Sequence, residues 1–282
     1  MAAWLITGSV TVLSSLLDSF VDVAASTVIL VSVHHALRPP DRSHRFGHGK
    51  AEPLGALAQA AFIAGSGLFV VFQAVDRLID PEPLRSTTVG IAVMVLSILA
   101  TAGLVAYQRH VVRATGSLAV AADSLHYKGD LLINLTVIAT LVLFATTGIA
   151  WLDPLVAMAI AAYLLVNAVV VGRKAFDLLM DRELAQSERE RIKSVILSDD
   201  RVRGLHDLRT RSSGTTTFIE LHLELDGALT LNEAHDIADS VESALTEAFP
   251  GAAIIIHQEP AGLEDDRLDD AIARGRPADR AG

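Results

Sequence analysis

Cysteine is absent from the 282-residue chain. That excludes disulfides and every thiolate metal site, so any bound metal must rest on histidine and carboxylate. Charge is scarce as well: Asp, Glu, Lys and Arg make up 20% of the residues against 51% hydrophobic, and the mean hydropathy is +0.42. These values predict a membrane protein with a soluble part. Positive charge is scarcest, with 23 Lys and Arg against 33 Asp and Glu, a net charge of −10. Such a balance argues against nucleic acid as a partner and favours cations. The opening MAAWLITGSV lacks a basic n-region, so no cleavable signal peptide is expected.

What the chain does have is long apolar runs, followed by a polar region after about residue 182. A span needs roughly 20 apolar residues, and stretches of that kind lie near 10–37, 54–75, 88–107, 118–147 and 152–172. The second is rich in Gly and Ala, which lets helix backbones approach closely in lipid. Arg38, Arg42, Arg45 and Lys50 fill the 38–50 loop, Arg109 and Arg113 the 108–117 loop, and the 148–153 loop has no basic residue. The basic loops and the C-terminal region are therefore expected on the cytoplasmic side, with the N-terminus outside.

Two polar stripes interrupt the apolar runs. Ser15, Asp18, Asp22 and Ser26 share one helical face, and Asp123, His126, Asp130 and Asn134 share another, because steps of three and four residues return to the same side. A carboxylate costs roughly 2.5 kcal/mol or more at a bilayer centre, so unused ones should be rare there. Asp18, Asp22, His126 and Asp130 can meet between two helices as a three-oxygen, one-nitrogen set suited to a divalent cation such as zinc. The bland reading, carboxylates bonded to neighbouring helices, accounts less well for three acids and a histidine in two stripes. A metal transporter is the reading these residues favour.

The region 183–260 reads as a compact αββαβ unit, an open sheet with its helices on one face. Ser187 with Glu190, and Thr230 with Glu233, are spaced as capping boxes that open two helices. The first two strands are VRGLHDLRTR and TTTFIELHLEL, joined at Ser213-Gly214, and AAIIIHQ is the last. Thr217, Ile219, Leu221, Leu223 and Leu225 alternate with Phe218, Glu220, His222 and Glu224. The later helix is expected to bury Leu231, Ala234, Ile237, Val241 and Leu245. Residues 261–282 are polar and expected to be loose. Four histidines recur in the unit, His206, His222, His235 and His257, with Glu259 beyond the last, and together they read as metal binding. In the loop DRSHRFGHGK, Asp41, His44 and His48 read equally as solvated residues or as an accessory metal site.

These residues resemble the cation diffusion facilitator family. The likeness is carried by D-x3-D in one span with H-x3-D in a later one, and by RFGHGKAE (45–52), ADSLHYKGD, LMDREL, HDLRTRSSG, FIELHLEL and IIIHQEP, so it covers essentially the whole chain. It implies a bacterial plasma-membrane homodimer whose cytoplasmic domain is ferredoxin-like. By the same resemblance, Asp18, Asp22, His126 and Asp130 are the transport site, carrying zinc or cadmium outward against protons. Asp41, His44 and His48 are a second, loop site. His206, His222, His235, His257 and Glu259 match a binuclear site of the cytoplasmic domain, and Lys50 and Asp181 match a salt-bridging pair near the dimer interface. Three departures stand out: five spans are visible where the family has six, Glu259 stands for aspartate, and Lys128 stands for a neutral polar residue.

Two rival functions fit less. An intramembrane aspartyl protease wants Gly-x-Gly-Asp, but the first glycine is missing before Lys128-Gly129-Asp130, and the histidines have no part in it. A membrane-anchored metal sensor leaves the intramembrane ligands without a role.

Overall fold

The computed structural model describes residues 10–80, 88–147, 151–214, 216–263 and 267–274; the side chains of 10–19, 88–93, 273 and all of 140–147 but Leu143 fall outside that description. The chain divides into two compact units, Met1–Leu179 and Met180–Gly282.

Among the described residues, the first unit contains five long helices: α1 (Val10–Ala36), α2 (Ala51–Ile79), α3 (Thr88–Thr115), α4 (Leu118–Thr147) and α5 (Leu152–Leu179). At 1.5 Å per residue each is roughly 40 Å long, more than a hydrocarbon core requires. Among the described residues, Ala51–Ile79, Met94–Thr115 and Leu152–Leu179 are long and apolar enough to cross a membrane. Helix α4 breaks its apolar run with Asp123, Lys128 and Asp130. Leu96, Leu99, Phe72 and Val166 point outward, exposed, as lipid-facing side chains do.

One layer of the bundle interior is built from small residues and the next from larger ones. Ala56 of α2, Ala122 of α4 and Ala175 of α5 are fully buried against one another, and Ile63, Leu125, Leu164 and Ala168 form the neighbouring layer. Close approach of α1 to α2 is set at Gly55, where a Cβ would lie 2.5 Å from Ser32. Without a hydrophobic force between helices in lipid, packing of this kind holds the bundle.

One loop expected from the sequence is mostly helix. Residues 108–115, with Arg109 and Arg113, continue α3, and only Gly116-Ser117 connects it to α4. Arg and His are tolerated in a helix, so the end of the apolar run is not the end of the helix. Gly116, at φ +68°, ends it by donating to the Val112 carbonyl at 2.8 Å, as a glycine just past a helix does. Ser117 then caps α4, its Oγ accepting from Val120 N at 3.2 Å.

The second unit contains α6 (Gln186–Ile196), β1 (Gly204–Ser213), β2 (Thr216–Leu225), α7 (Leu231–Ala248), β3 (Ala253–Pro260) and α8 (Leu268–Ala273). The first five are the expected αββαβ order. The sheet runs β1-β2-β3, antiparallel between β1 and β2 and parallel between β2 and β3. Ile219, Leu221, Leu223 and Leu225 pack against Ile192 and Ile196 of α6 and Ile237, Val241 and Leu245 of α7. Both helices therefore cover one face, leaving the other to the polar row of β2.

Local details depart from expectation. Thr230 and Glu233 form the capping box, but α6 opens at Gln186 behind Ala185, whose side chain cannot cap. Leu231 is 81% exposed, because the first residue of α7 lies before the stripe that meets the sheet. The residues after 260 are not uniformly loose: α8 starts at Leu268, whose N–H donates to Asp207 Oδ2 at 2.9 Å.

Candidate metal centres

A tetrahedral zinc holds nitrogen and oxygen donors at about 2.0–2.2 Å, which sets two donors on one ion roughly 3.3 Å apart. Among the described residues, three groups approach that spacing.

The first joins α1 and α4. His126 Nε2 lies 3.0 Å from Asp22 Oδ1 and 3.8 Å from Asp130 Oδ2. Asp130 reaches the imidazole from one turn further along its own helix; Asp22 comes from the other helix. The hydroxyls of Ser26 and Tyr127, 2.9 Å apart, tie the same two helices one turn along α1. His126 is buried, whereas the Asp22 and Asp130 side chains stay 47% and 39% exposed, which leaves a way in for an ion. Asp18 stands one turn before Asp22 on α1, and its side chain lies outside the described residues. Asp123, of the same stripe, belongs elsewhere. It is buried and accepts from Gln108 Nε2 of α3 at 2.7 Å and from Gln59 Nε2 of α2 at 3.4 Å. Gln59 lies in an apolar stretch and Gln108 beside Arg109 and His110, and no pattern in the sequence marks either.

The second group lies in the loop after α1. Asp41 Oδ1 is 3.3 Å from His44 Nδ1, and Asp41 Oδ2 is 3.3 Å from His48 Nε2. One donor atom from each residue falls within 4.8 Å of the others. Asp41 is held in place by the backbone N–H groups of His44 and Ser43, at 2.7 and 2.8 Å, and those bonds keep its carboxyl below the usual range. His48 is buried, and its Nδ1 has no hydrogen-bond partner. Next to this loop, Lys50 Nζ donates to the Leu179 carbonyl at 3.3 Å.

The third group lies on the open face of the sheet. Strand register sets His206 opposite His222 and His222 opposite His257, with ring centroids 5.0 and 4.8 Å apart. Glu259, two residues beyond His257, reaches back into the row. Its Oε1 touches His222 Nδ1 and lies 3.6 Å from His206 Nε2 and 4.0 Å from His257 Nε2. Glu259 Oε1 and His222 Nδ1 are sealed from solvent without a satisfying hydrogen bond. Buried polar atoms are expected to be partnered, and a shared cation satisfies both. His257 stands at the rim, 67% exposed. His235 is not brought to this row. It projects from α7, on the opposite side of the sheet, 64% exposed and 3.5 Å from Asp239. Its spacing in the sequence gives no sign of which face it takes.

One residue beside the row was legible only as part of a polar strand face. Glu224 lies two residues past His222, and its Oε1 is 2.9 Å from His206 Nδ1. In the same unit, Asp181 has φ +55° and lies 3.6 Å from Arg211.

Comparison with known proteins identifies the family of the chain. The family description "Cation efflux transmembrane domain" matches residues 1–180, and "Cation efflux protein, cytoplasmic domain" matches residues 184–261. The cation-efflux pump FieF of Shewanella oneidensis is 47% identical over 264 residues, covering 94% of this chain and 89% of that protein. FieF of Serratia proteamaculans is 49% identical over 263 residues, covering 93% and 87%. Among solved structures, the metal-bound C-terminal domain of the CzcD transporter from Thermotoga maritima is 26% identical with a TM-score of 0.27, over 29% of this chain and 100% of that one. The chain belongs to the cation efflux, or cation diffusion facilitator, family, with a helical transmembrane domain followed by the family's cytoplasmic domain.

Proposed function

We propose that this chain exports a divalent cation, zinc foremost with cadmium and ferrous iron as further cargoes, in exchange for protons and as a homodimer. The observation that carries this reading is His126 Nε2, with carboxylates of Asp22 and Asp130 brought to it from two long helices. A fixed ion pair has no need of a second acid on one imidazole. Asp18, one turn before Asp22, supplies the fourth ligand. The imidazole favours zinc or cadmium over harder ions.

Proton exchange follows from the donor set. Carboxylates and imidazole must be deprotonated to ligate, so loading the cargo releases protons. Histidine changes charge near neutral pH, so protons arriving from the far side compete for the same atoms and free the ion. Helices α1 and α4 then shift against their neighbours to expose the site alternately to the two sides. Asp41, His44 and His48 hold a second ion in the loop. His206, His222 and Glu259, with His257 at the rim, hold a resident ion in the cytoplasmic domain. Lys50 and Asp181 each take part in salt bridges that steady the dimer.

The test is zinc flux into proteoliposomes, with and without an imposed pH gradient, for this chain and for Asp22→Ala. Gradient-driven flux abolished by the substitution is expected. Flux that Asp22→Ala leaves intact, or that ignores the gradient, overturns the antiport reading. Zinc bound without any flux supports the membrane-anchored sensor instead.

A further inference from the structure

The metal centre on the sheet has a supporting contact that continues past the residues matched by the family, which end at 261. His206 points Nε2 toward Glu259 and Nδ1 toward Glu224 Oε1, at 3.6 and 2.9 Å. The same Glu224 Oε1 lies 2.9 Å from Arg267 Nη2. Space for the carboxylate exists because residue 204 is glycine: a Cβ there would come within 2.9 Å of Glu224 Oε2.

Arg267 is held at this point by its neighbours. Asp207 accepts from the backbone N–H groups of Leu268 and Asp269, both at 2.9 Å, and donates its own N–H to Asp269 Oδ2 at 3.0 Å. Asp207 adopts φ +50° at the bulge of β1 that separates His206 from Arg209. Non-glycine residues rarely adopt that conformation, and aspartate is among those that do. One bulge therefore fixes both His206 and the segment that delivers the guanidinium.

We propose that Glu224 and Arg267 are opposed positioning residues that set the divalent-cation affinity of the sheet centre. Glu224 fixes the His206 ring with Nε2 toward the ion and makes the imidazole a stronger donor, as a carboxylate on the far nitrogen of a metal-bound histidine does. Arg267 works against this. It draws on the same carboxylate oxygen, which weakens that oxygen as an acceptor, and it adds a positive charge near a cation site. The segment after residue 261 thus acts as a built-in restraint on metal binding. This inference rests on the reading of His206, His222 and Glu259 as a metal centre.

The experiment uses the full chain in detergent, with Asp22→Ala and His44→Ala to silence the other two centres, and Zn²⁺ titrated against a chromophoric chelator. His222→Ala must abolish the remaining binding; if it does not, the metal-centre reading itself falls. Given that control, Glu224→Gln is expected to weaken binding about 10–100-fold, and Glu224→Asp to recover part of the loss. Arg267→Gln is expected to tighten binding by about threefold or more. A merely structural contact predicts weakening in both. Equal affinity in Glu224→Gln, or weaker affinity in Arg267→Gln, overturns the proposal. Co²⁺ absorption gives an independent readout: Glu224→Gln should alter the ligand-field bands, and unaltered bands count against it.

Discussion

At the scale of single residues, the membrane domain holds acids of two kinds. Asp22 and Asp130 face a histidine and stay partly exposed, while Asp123 is buried between two glutamine amides. The first arrangement leaves oxygens free to take an ion. In the second, both carboxylate oxygens already accept from amides, which ties α4 to α2 and α3. Removing the acceptor in Asp123→Ala strands two buried amides, at about 1–3 kcal/mol each. A lower thermal midpoint in detergent is expected, read from intrinsic fluorescence; an unchanged midpoint would show that the amides find other partners. The sequence marks Asp123 as one member of a stripe with His126, and spacing alone makes them alike. Their difference lies in Gln59 and Gln108, which come from other helices.

At the scale of elements, small residues decide where helices meet. A methyl at Gly55 would lie 2.5 Å from the Cβ and Oγ of Ser32, whereas one at Gly103 meets nothing within 4 Å. Gly55→Ala must push α1 from α2 and is expected to cost about 1–3 kcal/mol. Gly103→Ala should be neutral or gain up to about 1 kcal/mol from helix propensity. Melting of the two variants side by side tests this, and equal midpoints would refute it. In the cytoplasmic unit, the turn after α6 is held by Asp199, which accepts from Arg201 Nη2, Nε and N at 2.6, 2.9 and 3.0 Å. Those bonds hold its carboxyl down at about 2, against an ordinary 3.8. A lowered folded value contributes stability above about pH 4 that is lost as the pH falls toward 2. Asp199→Asn should therefore lower the urea midpoint of the cytoplasmic domain near neutral pH, and the difference should vanish toward pH 2. A gap that persists at pH 2 would assign the effect to something other than charge.

At the scale of the whole molecule, a polar domain with a candidate metal centre follows a lipid-embedded one, and under the proposed reading metal stabilises that polar domain by mass action. Zinc at a hundred times its dissociation constant is expected to stabilise the cytoplasmic domain by about 2.7 kcal/mol. Scanning calorimetry with zinc and then with a chelator should show the shift appear and disappear, and His222→Ala should abolish it. The proposed dimer is tested at Lys50 and Asp181. Lys50→Ala and Asp181→Ala are each expected to reduce the dimer fraction in mass photometry, and an unchanged fraction would remove that residue from the interface.

Composition and periodicity determined a good deal by themselves. Long apolar runs can only be helices in lipid, since each backbone group must be satisfied within its own segment. Alternation along β2 assigned its two faces, because successive strand residues point to opposite sides. Which residues come together in the candidate centres was legible where they sit within one helix or loop, as with His126 and Asp130 or Asp41 and His48. Tertiary structure decided the rest. It placed His235 on the far side of the sheet, gave Asp123 two glutamines, continued α3 through Arg109 and Arg113, and docked residues 267–273 onto Asp207. Each of these depends on which elements come to lie side by side. A sequence fixes a side chain's place on its own element, but which neighbour it meets is set by the packing of all the elements together.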